Sequence, residues 1–286
     1  MTDYIKEISK IKTNKTGAII SLHKPLLLLL VLSCIKKGSK NSFLFNDIEA
    51  ILKTLISKYG LKNTSKINPQ YPFVYLASSP FIWECSINKK ELKYPAAASR
   101  NEVKGKYGNL NDDFFKYLKN KSENLDNTIQ FILTEYWTTS YHEDILNDLG
   151  LSIQHHVQIK NDRSQSFVLD ILNSYERKCA VCSQSIRLGD NLIGIDACHI
   201  KPIQHYGEDN VNNGIALCKL HHWALDRGAI SINSDLKILI SPQINGSESD
   251  IYLLNFDGKK IFSPKKQEKC ISYENLEYHY NYIFAK

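Results

Sequence analysis

The sequence lacks the features that would place the protein in a membrane, outside the cell or among the nucleotide-binding folds. Its longest apolar run, Leu26 to Leu32, is far shorter than the roughly 20 residues that a membrane-spanning helix needs. The seven cysteines, an odd number, form no disulfide pattern, and the N-terminus does not have the shape of a signal peptide. We find no internal repeat and no glycine-rich phosphate loop. These absences predict a soluble, cytoplasmic protein with no membrane partner.

The composition is that of an ordinary globular protein with a positive net charge. The formal net charge is +6, and hydrophobic residues make up 43% of the chain. This balance suits a polyanionic partner only weakly, because many proteins without such a partner are equally basic. At 286 residues, the chain is long enough for two domains.

The strongest chemical signal lies between residues 179 and 226. Cys179 and Cys182 form one pair of potential metal ligands, and Cys218 and His221 form a second. Two residues separate the members of each pair, which allows each pair to hold one face of a tetrahedral Zn²⁺. The spacing predicts a structural zinc site that joins two distant segments.

Three further residues in this segment are not needed for zinc: His199, Asn213 and His222. Their order and spacing resemble the HNH (ββα-metal) nuclease family. In that family a strand ends at the first histidine, the asparagine lies in a loop, and the last histidine opens a helix that crosses the strands. The apolar patterns fit, because 192–195 and 215–217 favour strands and 221–226 a helical turn.

The resemblance implies roles for these side chains. His199 would take a proton from the attacking water, since an imidazole titrates near neutral pH. His222 and Asp226, four residues apart on one helix face, would bind one Mg²⁺ or Mn²⁺. Asn213 would hold the His199 loop in place. Many family members carry Asp or His directly before the first histidine as another metal ligand. Here that residue is Cys198, a poor ligand for Mg²⁺, so packing and binding of a softer ion both stay open; Asp196 lies two residues before it.

The N-terminal half is predicted to be mainly helical. His23-Lys24-Pro25 before the leucine run predicts a helix from near His23 or Pro25 to before Gly38. This helix is apolar on every face, so it should be central in its domain, and its N-terminus favours an anion such as phosphate. An amphipathic helix is expected over 45–59 and a short strand over 71–76, with further helices at about 110–120, 124–138 and 141–149.

A second resemblance rests on three short motifs. These are His23-Lys24-Pro25 with the leucine run, Tyr71-Pro72-Phe73 with Trp83, and the stretch from Tyr94 to Ala98. Together they resemble the sulfur-binding domain of phosphorothioate-dependent restriction endonucleases, which precedes a C-terminal HNH nuclease in those proteins. The match covers about residues 15–150.

This second resemblance implies a sulfur pocket. Tyr94, Pro95 and Ala98 would form it, and the following residues Ser99 and Arg100 would join His23 and Lys24 in contacting DNA. Sulfur in place of a phosphate oxygen is larger and less strongly hydrated, so it can dock on apolar groups where an oxygen would lose its hydrogen bonds. The family also uses a further basic residue, for which Lys119 and Lys121 are both candidates.

We therefore expect an α+β protein with two domains. Residues 1–150 would form a mainly helical domain that reads modified DNA, 151–165 a linker, and 166–286 an HNH endonuclease domain with a structural zinc. The expected function is type IV-like restriction, in which phosphorothioated double-stranded DNA is cut with Mg²⁺ or Mn²⁺. Two alternatives remain: an HNH nuclease that reads methylated or unmodified DNA, and a catalytically silent, zinc-stabilised DNA-binding protein. A homodimer would suit double-strand cleavage, because it brings two single-site nucleases together.

Overall fold

The computed structural model describes residues 4–11, 15–16, 19–61, 67–87, 90, 92–94, 97–151, 165–247, 250–264 and 271–286. The chain forms two compact units, Met1–Ile159 and Lys160–Lys286. The predicted linker lies almost wholly outside the described residues. Among these residues, none of the helices combines the length and the hydropathy that a membrane-spanning segment requires.

The first unit is mainly helical. Its helices are α1 (Tyr4–Ser9), α2 (His23–Lys36), α3 (Phe45–Tyr59), α4 (Gln70–Tyr75), α5 (Arg100–Val103), α6 (Asp112–Asn120), α7 (Ser122–Tyr136) and α8 (His142–Asp148). Its strands are β1 (Lys15–Thr16), β2 (Ile19–Ile20), β3 (Phe43–Leu44), β4 (Trp83–Cys85) and β5 (Tyr107–Leu110). β1 pairs with β2, and β5 lies between β3 and β4 in an antiparallel sheet.

Helix α2 is the centre of the first unit, as its sequence predicts. Leu26, Leu27, Leu28 and Leu29 are all completely buried, so the helix is enclosed around its whole circumference. It packs against α3, α4 and α7. This position turns the N-terminus of α2, with His23 and Lys24, toward the end of α4, where Lys24 Nζ donates to Ser78 Oγ at 3.1 Å.

The strand expected over 71–76 is wrong, because this segment forms α4. Pro72 lies in the first turn of that helix, where a proline removes no helical hydrogen bond. Phe73 and Val74 are buried, and Phe73 packs edge-on against the ring of Trp83 at 5.6 Å. A short apolar run does not distinguish a buried strand from a buried helix by periodicity alone. Packing against α2 decided the matter here.

The second unit contains the expected ββα arrangement. Its helices are α9 (Gln165–Ser174), α10 (Lys219–Asp226), α11 (Ile251–Leu254) and α12 (Tyr273–Tyr282). Its strands are β6 (Ile186–Leu188), β7 (Asn191–Ile193), β8 (Ile195–His199), β9 (Gly214–Cys218), β10 (Ile230–Ile232) and β11 (Ile238–Ile240). Each strand pairs with its neighbour in sequence, in three antiparallel pairs.

The β8–β9 pair is the frame of this unit. Its register sets Ile195 opposite Cys218 and His199 opposite Gly214. Helices α9 and α10 both pack on this pair. A side chain at Gly214 would push against α9, because a Cβ there would lie 2.1 Å from Ile171 Cδ1 and 3.0 Å from Phe167 Cε2. The close approach of α9 to β9 therefore depends on a missing side chain.

The strand expected over 192–195 is divided in the structure. Gly194 adopts a φ of +70°, a backbone conformation that glycine tolerates and other residues rarely adopt. β7 ends before this residue and pairs with β6, whereas β8 begins after it and pairs with β9. The predicted single strand is thus two strands in different sheets.

Candidate active site and metal centre

The four predicted zinc ligands come together at one point. Cys179, Cys182, Cys218 and His221 place their ligand atoms within 4.8 Å of one another. Cys182 Sγ lies 4.0 Å from Cys218 Sγ, and Cys179 Sγ lies 3.5 Å from His221 Nδ1. A tetrahedral Zn²⁺ with bonds of ~2.3 Å to sulfur and ~2.0 Å to nitrogen has ligand separations of roughly 3.5–3.8 Å. The residues therefore fit zinc.

Neighbouring groups favour the metal-binding form of two of these ligands, Cys218 and His221. Hydrogen bonds from the Cys179 and Cys182 thiols lower the pKa of Cys218, which favours the thiolate that a metal requires. His221 Nε2 lies 2.9 Å from the carbonyl oxygen of Tyr252, so its N–H donates there and Nδ1 faces the sulfur atoms. Cys218 ends β9 and His221 lies in the first turn of α10, so the cluster fixes the start of the helix that carries His222.

His199 lies at the end of β8 with its ring held on two sides. The ring stacks flat on Phe167 of α9, with 4.3 Å between ring centroids. Its Nε2 lies 2.7 Å from Oδ1 of Asp209. Asp209 follows the loop glycine Gly207, and sequence reasoning did not single it out. The loop residue has no motif signal of its own, because only the fold brings it to His199.

Asn213 holds two stretches of backbone together. Its Oδ1 accepts from the N–H of Lys201 at 2.9 Å, and its Nδ2 donates to the carbonyls of Lys201 and Glu208, both at 3.0 Å. The residue is completely buried. These contacts bind the segment just after His199 to the segment just before Asp209. The role of Asn213 as a support for the His199 loop stays a prediction, and these contacts are the ones through which it would act.

His222 lies between two carboxylates. Its Nδ1 is 2.9 Å from Asp196 Oδ2, and its Nε2 is 3.5 Å from Asp226 Oδ2. Burial would raise the pKa of Asp196, but hydrogen bonds from His222 and Lys219 outweigh it and lower the pKa to about 2. Asp196 is therefore an anion under ordinary conditions. It fixes the orientation of the His222 ring from the side of Nδ1.

The other ring nitrogen and Asp226 have the character of a divalent-cation site. Asp226 is almost fully buried, and its oxygen and the Nε2 of His222 are adjacent on one face of α10. Oxygen and imidazole ligands suit Mg²⁺ or Mn²⁺. Cys198 is completely buried in the apolar core of the unit, with Sγ 3.5 Å from the Asp196 carbonyl. This environment favours the packing interpretation of Cys198.

In the first unit, the predicted DNA-contacting residues around α2 are partly engaged. Burial lowers the pKa of His23, which favours a neutral imidazole, and its Nε2 has no hydrogen-bond partner among the described residues. Lys24 bonds Ser78 through its ammonium group. Both lie in the first turn of α2, where backbone N–H groups favour an anion.

The predicted sulfur pocket is described only in part, because Pro95 lies outside the described residues. Tyr94 is 61% exposed, with Lys93 Nζ 5.6 Å from its ring centroid. Ala98 is 1% exposed, and its N–H donates to Tyr75 Oη at 3.0 Å. Tyr75 was not predicted as part of this site. The strand expectation for 71–76 hid it, since α4 is what aims its hydroxyl at this loop.

The two residues after the pocket have partners within the protein. Ser99 caps α5 in a reciprocal arrangement with Glu102. Arg100 forms a two-point ion pair with Glu49, in which Nη2 lies 2.7 Å from Oε2 and Nε donates to Oε1. Contact of Ser99 and Arg100 with DNA stays a prediction, as do the roles of the other site residues.

The geometry of the second unit is that of an HNH nuclease, and comparison with known families agrees. A model described as "HNH endonuclease" matches residues 179–233. A second model, described as "ScoMcrA-like, DNA sulfur-binding domain", matches residues 1–154, more than half of the chain. The chain belongs to this sulfur-binding family and carries an HNH endonuclease domain, so the protein is a nuclease.

Several solved structures are similar to parts of the chain. The sulfur-binding domain of SprMcrA complexed with phosphorothioated DNA is 21% identical; the match covers 52% of this chain and 93% of that one, with a TM-score of 0.44. The sulfur-binding domain of ScoMcrA complexed with phosphorothioated DNA is 17% identical; the match covers 53% of this chain and 97% of that one, with a TM-score of 0.45. The modification-dependent TagI restriction endonuclease is 22% identical; the match covers 42% of this chain and 38% of that one, with a TM-score of 0.32. At these TM-scores the structures add nothing to the two family matches. No curated protein matches the chain.

Proposed function

We propose that the protein is a phosphorothioation-dependent DNA endonuclease. The observation that supports this most directly is the presence of both parts in one chain: a DNA sulfur-binding domain over 1–154 and an HNH site over 179–233. The first unit would select DNA that carries sulfur, and the second would hydrolyse its backbone. Such an enzyme acts as a type IV-like restriction enzyme against modified incoming DNA.

In the hydrolytic step, His199 accepts a proton from water, and His222 and Asp226 would hold the divalent cation. The cation, Mg²⁺ or Mn²⁺, would supply stabilisation of charge on the phosphate and the leaving oxygen. Asp196 fixes the His222 ring through Nδ1, which leaves Nε2 as the nitrogen that would bind a cation, and Asn213 holds the His199 loop. The zinc cluster keeps α10 fixed against β9 and takes no part in the chemistry.

In the recognition step, Tyr94, Pro95 and Ala98 receive the sulfur atom. An apolar surface there costs sulfur little hydration, whereas a phosphate oxygen loses hydrogen bonds to water without replacement. His23 and Lys24, at the N-terminus of α2, bind the neighbouring phosphates, and Ser99 and Arg100 extend this contact.

The test is cleavage of two matched duplexes, one phosphorothioated and one unmodified, with Mg²⁺ or Mn²⁺. We expect only the sulfur-bearing duplex to be cut, and His199→Ala to abolish cutting while binding persists. Pro95→Ala and Tyr94→Ala should remove the preference for sulfur. Equal cutting of both duplexes would keep the nuclease and exclude the sulfur reader. Binding without cutting by the wild type, with either cation, would identify a silent binding protein.

A further inference from the structure

The loop that follows β8 folds back toward His199 and places a carboxylate within hydrogen-bond distance of its imidazole ring. Asp209 Oδ1 lies 2.7 Å from His199 Nε2. The His199 side chain is only 7% exposed, whereas the Asp209 side chain is 31% exposed. Phe167 from α9 stacks on the face of the same ring, and Asp209 from the loop places a carboxylate oxygen at its Nε2 edge.

The loop is held at this distance by contacts that do not involve Asp209 itself. Asn213 joins the backbone at Lys201, two residues after His199, to the backbone at Glu208, one residue before Asp209. Gly207 makes the approach possible, because a Cβ there would lie 1.9 Å from the Lys201 carbonyl oxygen. The buried amide thus sets the separation between His199 and Asp209.

We propose that Asp209 orients His199 as the general base. The inference rests on the proposed nuclease role of His199. An ionised carboxylate at Nε2 requires the proton of the neutral ring to lie on Nε2, which leaves the lone pair on Nδ1. Stacking on Phe167 fixes the plane of the ring, so the direction of the Nδ1 lone pair is fixed as well.

The proton balance of the step is simple. A proton of the attacking water passes to Nδ1 as the water oxygen bonds to phosphorus and the bond from phosphorus to the leaving oxygen breaks. The leaving oxygen takes its proton from solvent. Asp209 keeps its negative charge and stabilises the imidazolium that forms. It is a positioning residue, because it acts on the substrate only through His199.

The first test is Asp209→Asn in the full chain, with Asp190→Asn as the matched control. Asparagine has the same shape but no charge, so it cannot hold the proton on Nε2 or stabilise the imidazolium as a carboxylate does. We expect kcat to fall ~100-fold, the contribution of a positioned general base. The acidic limb of the kcat/KM profile should also move to lower pH, because the imidazolium loses its carboxylate partner. Asp190 is exposed in the turn between β6 and β7, outside the loop that carries Asp209, so Asp190→Asn should keep the wild-type profile.

The second test needs no DNA. In protein labelled with ¹⁵N-histidine, and with the His199 signal assigned by His199→Ala, we expect the Nε2-protonated form in the wild type and a loss of this single tautomer, as a mixture or as the Nδ1-protonated form, in Asp209→Asn. A wild type already protonated on Nδ1, or a variant with unchanged tautomer and pH profile, would overturn the inference. If the wild type cuts both duplexes equally, the sulfur reader fails and the kinetic test of Asp209 still applies. If it cuts neither, the nuclease proposal fails, and the tautomers alone decide whether Asp209 orients the ring.

Discussion

At the scale of single residues, each candidate catalytic imidazole of the nuclease unit has a carboxylate at one of its ring nitrogens. His199 has Asp209 on Nε2, and His222 has Asp196 on Nδ1. In both cases the carboxylate fixes which ring nitrogen carries hydrogen, and therefore which nitrogen is left for chemistry or for a metal. A motif that names only histidines omits half of this arrangement.

Asp196 and Cys198 lead to opposite expectations for cation binding. Asp196→Asn should weaken the binding of Mn²⁺ by 10- to 100-fold, roughly the effect of losing a carboxylate that supports a ligating histidine. Cys198→Ala should leave the affinity unchanged and cost about 1 kcal/mol of stability, as a typical core truncation does. Titration calorimetry with Mn²⁺ measures the first effect and urea unfolding the second. Weaker Mn²⁺ binding in Cys198→Ala would instead make the thiol a ligand.

His279 makes the stability of the second unit depend on pH. It is fully enclosed, with Nδ1 2.9 Å from Ser231 Oγ and Nε2 2.9 Å from the Leu225 carbonyl. Burial lowers its pKa to about 4. Below its ordinary value of 6.5 the unfolded chain takes up a proton that the folded chain does not. This contribution is therefore complete above pH 6.5 and falls by about 3 kcal/mol as the pH drops to 4.

The measurement is urea unfolding of the wild type and His279→Gln between pH 7.5 and 4. The variant should be less stable at pH 7.5 but lose less stability on acidification. Protonation of the zinc ligands contributes to both proteins and cancels in the comparison. Parallel losses in the two proteins would show that His279 does not carry the acid sensitivity.

At the scale of elements, the loop between β8 and β9 has to fold back closely. Gly207→Ala would place a methyl group 1.9 Å from the Lys201 carbonyl oxygen and 2.8 Å from Asn213 Nδ2. We expect the loop to move away, with cleavage reduced ~100-fold as the general base loses its position. Gly189→Ala is the control for general destabilisation: its φ of +58° makes alanine strained, but no heavy atom lies within 4 Å of a Cβ there, and the turn is outside the His199 loop. Cleavage assays on both variants check this, and unchanged activity in Gly207→Ala would contradict it.

The start of α10 has no capping side chain, and we expect a metal bound by Cys179, Cys182, Cys218 and His221 to hold it. Cys218 is the N-cap residue and makes no side-chain cap hydrogen bond. Cys182→Ser should therefore lose zinc, measured by elemental analysis, and lower the unfolding temperature of the second unit. The first unit should keep its own transition, since structural zinc stabilises only the fold that binds it. A zinc-free variant with unchanged unfolding would show that the cluster is not structural.

At the scale of the whole molecule, the affinity for DNA and the preference for phosphorothioated over unmodified DNA should respond differently to salt. The chain has a net charge of +6, and contacts to phosphates release counterions, so binding of DNA should weaken as salt rises. On the proposed function, a preference for sulfur would arise from hydration and should stay nearly constant. Binding of His199→Ala to phosphorothioated and unmodified duplexes across a salt series measures both. A preference that disappears with salt would point to an ionic origin for the selectivity.

The sequence alone determined the parts whose chemistry is local. Ligand pairs with two residues between their members predict zinc, and three residues at family spacing predict the HNH site. A leucine run apolar on every face predicts the central helix α2. Each follows from spacing or periodicity along the chain, which folding preserves.

Only the tertiary structure decided how distant segments meet. The segment 71–76 became a helix because it packs on α2, and Gly194 divided a predicted strand between two sheets. Asp209 and Tyr75 reached their partners through a loop closure and a helix orientation that no local pattern records. Their positions depend on non-local packing, because a carboxylate ten residues from a histidine contacts it only when a buried amide and a missing side chain bring the loop back.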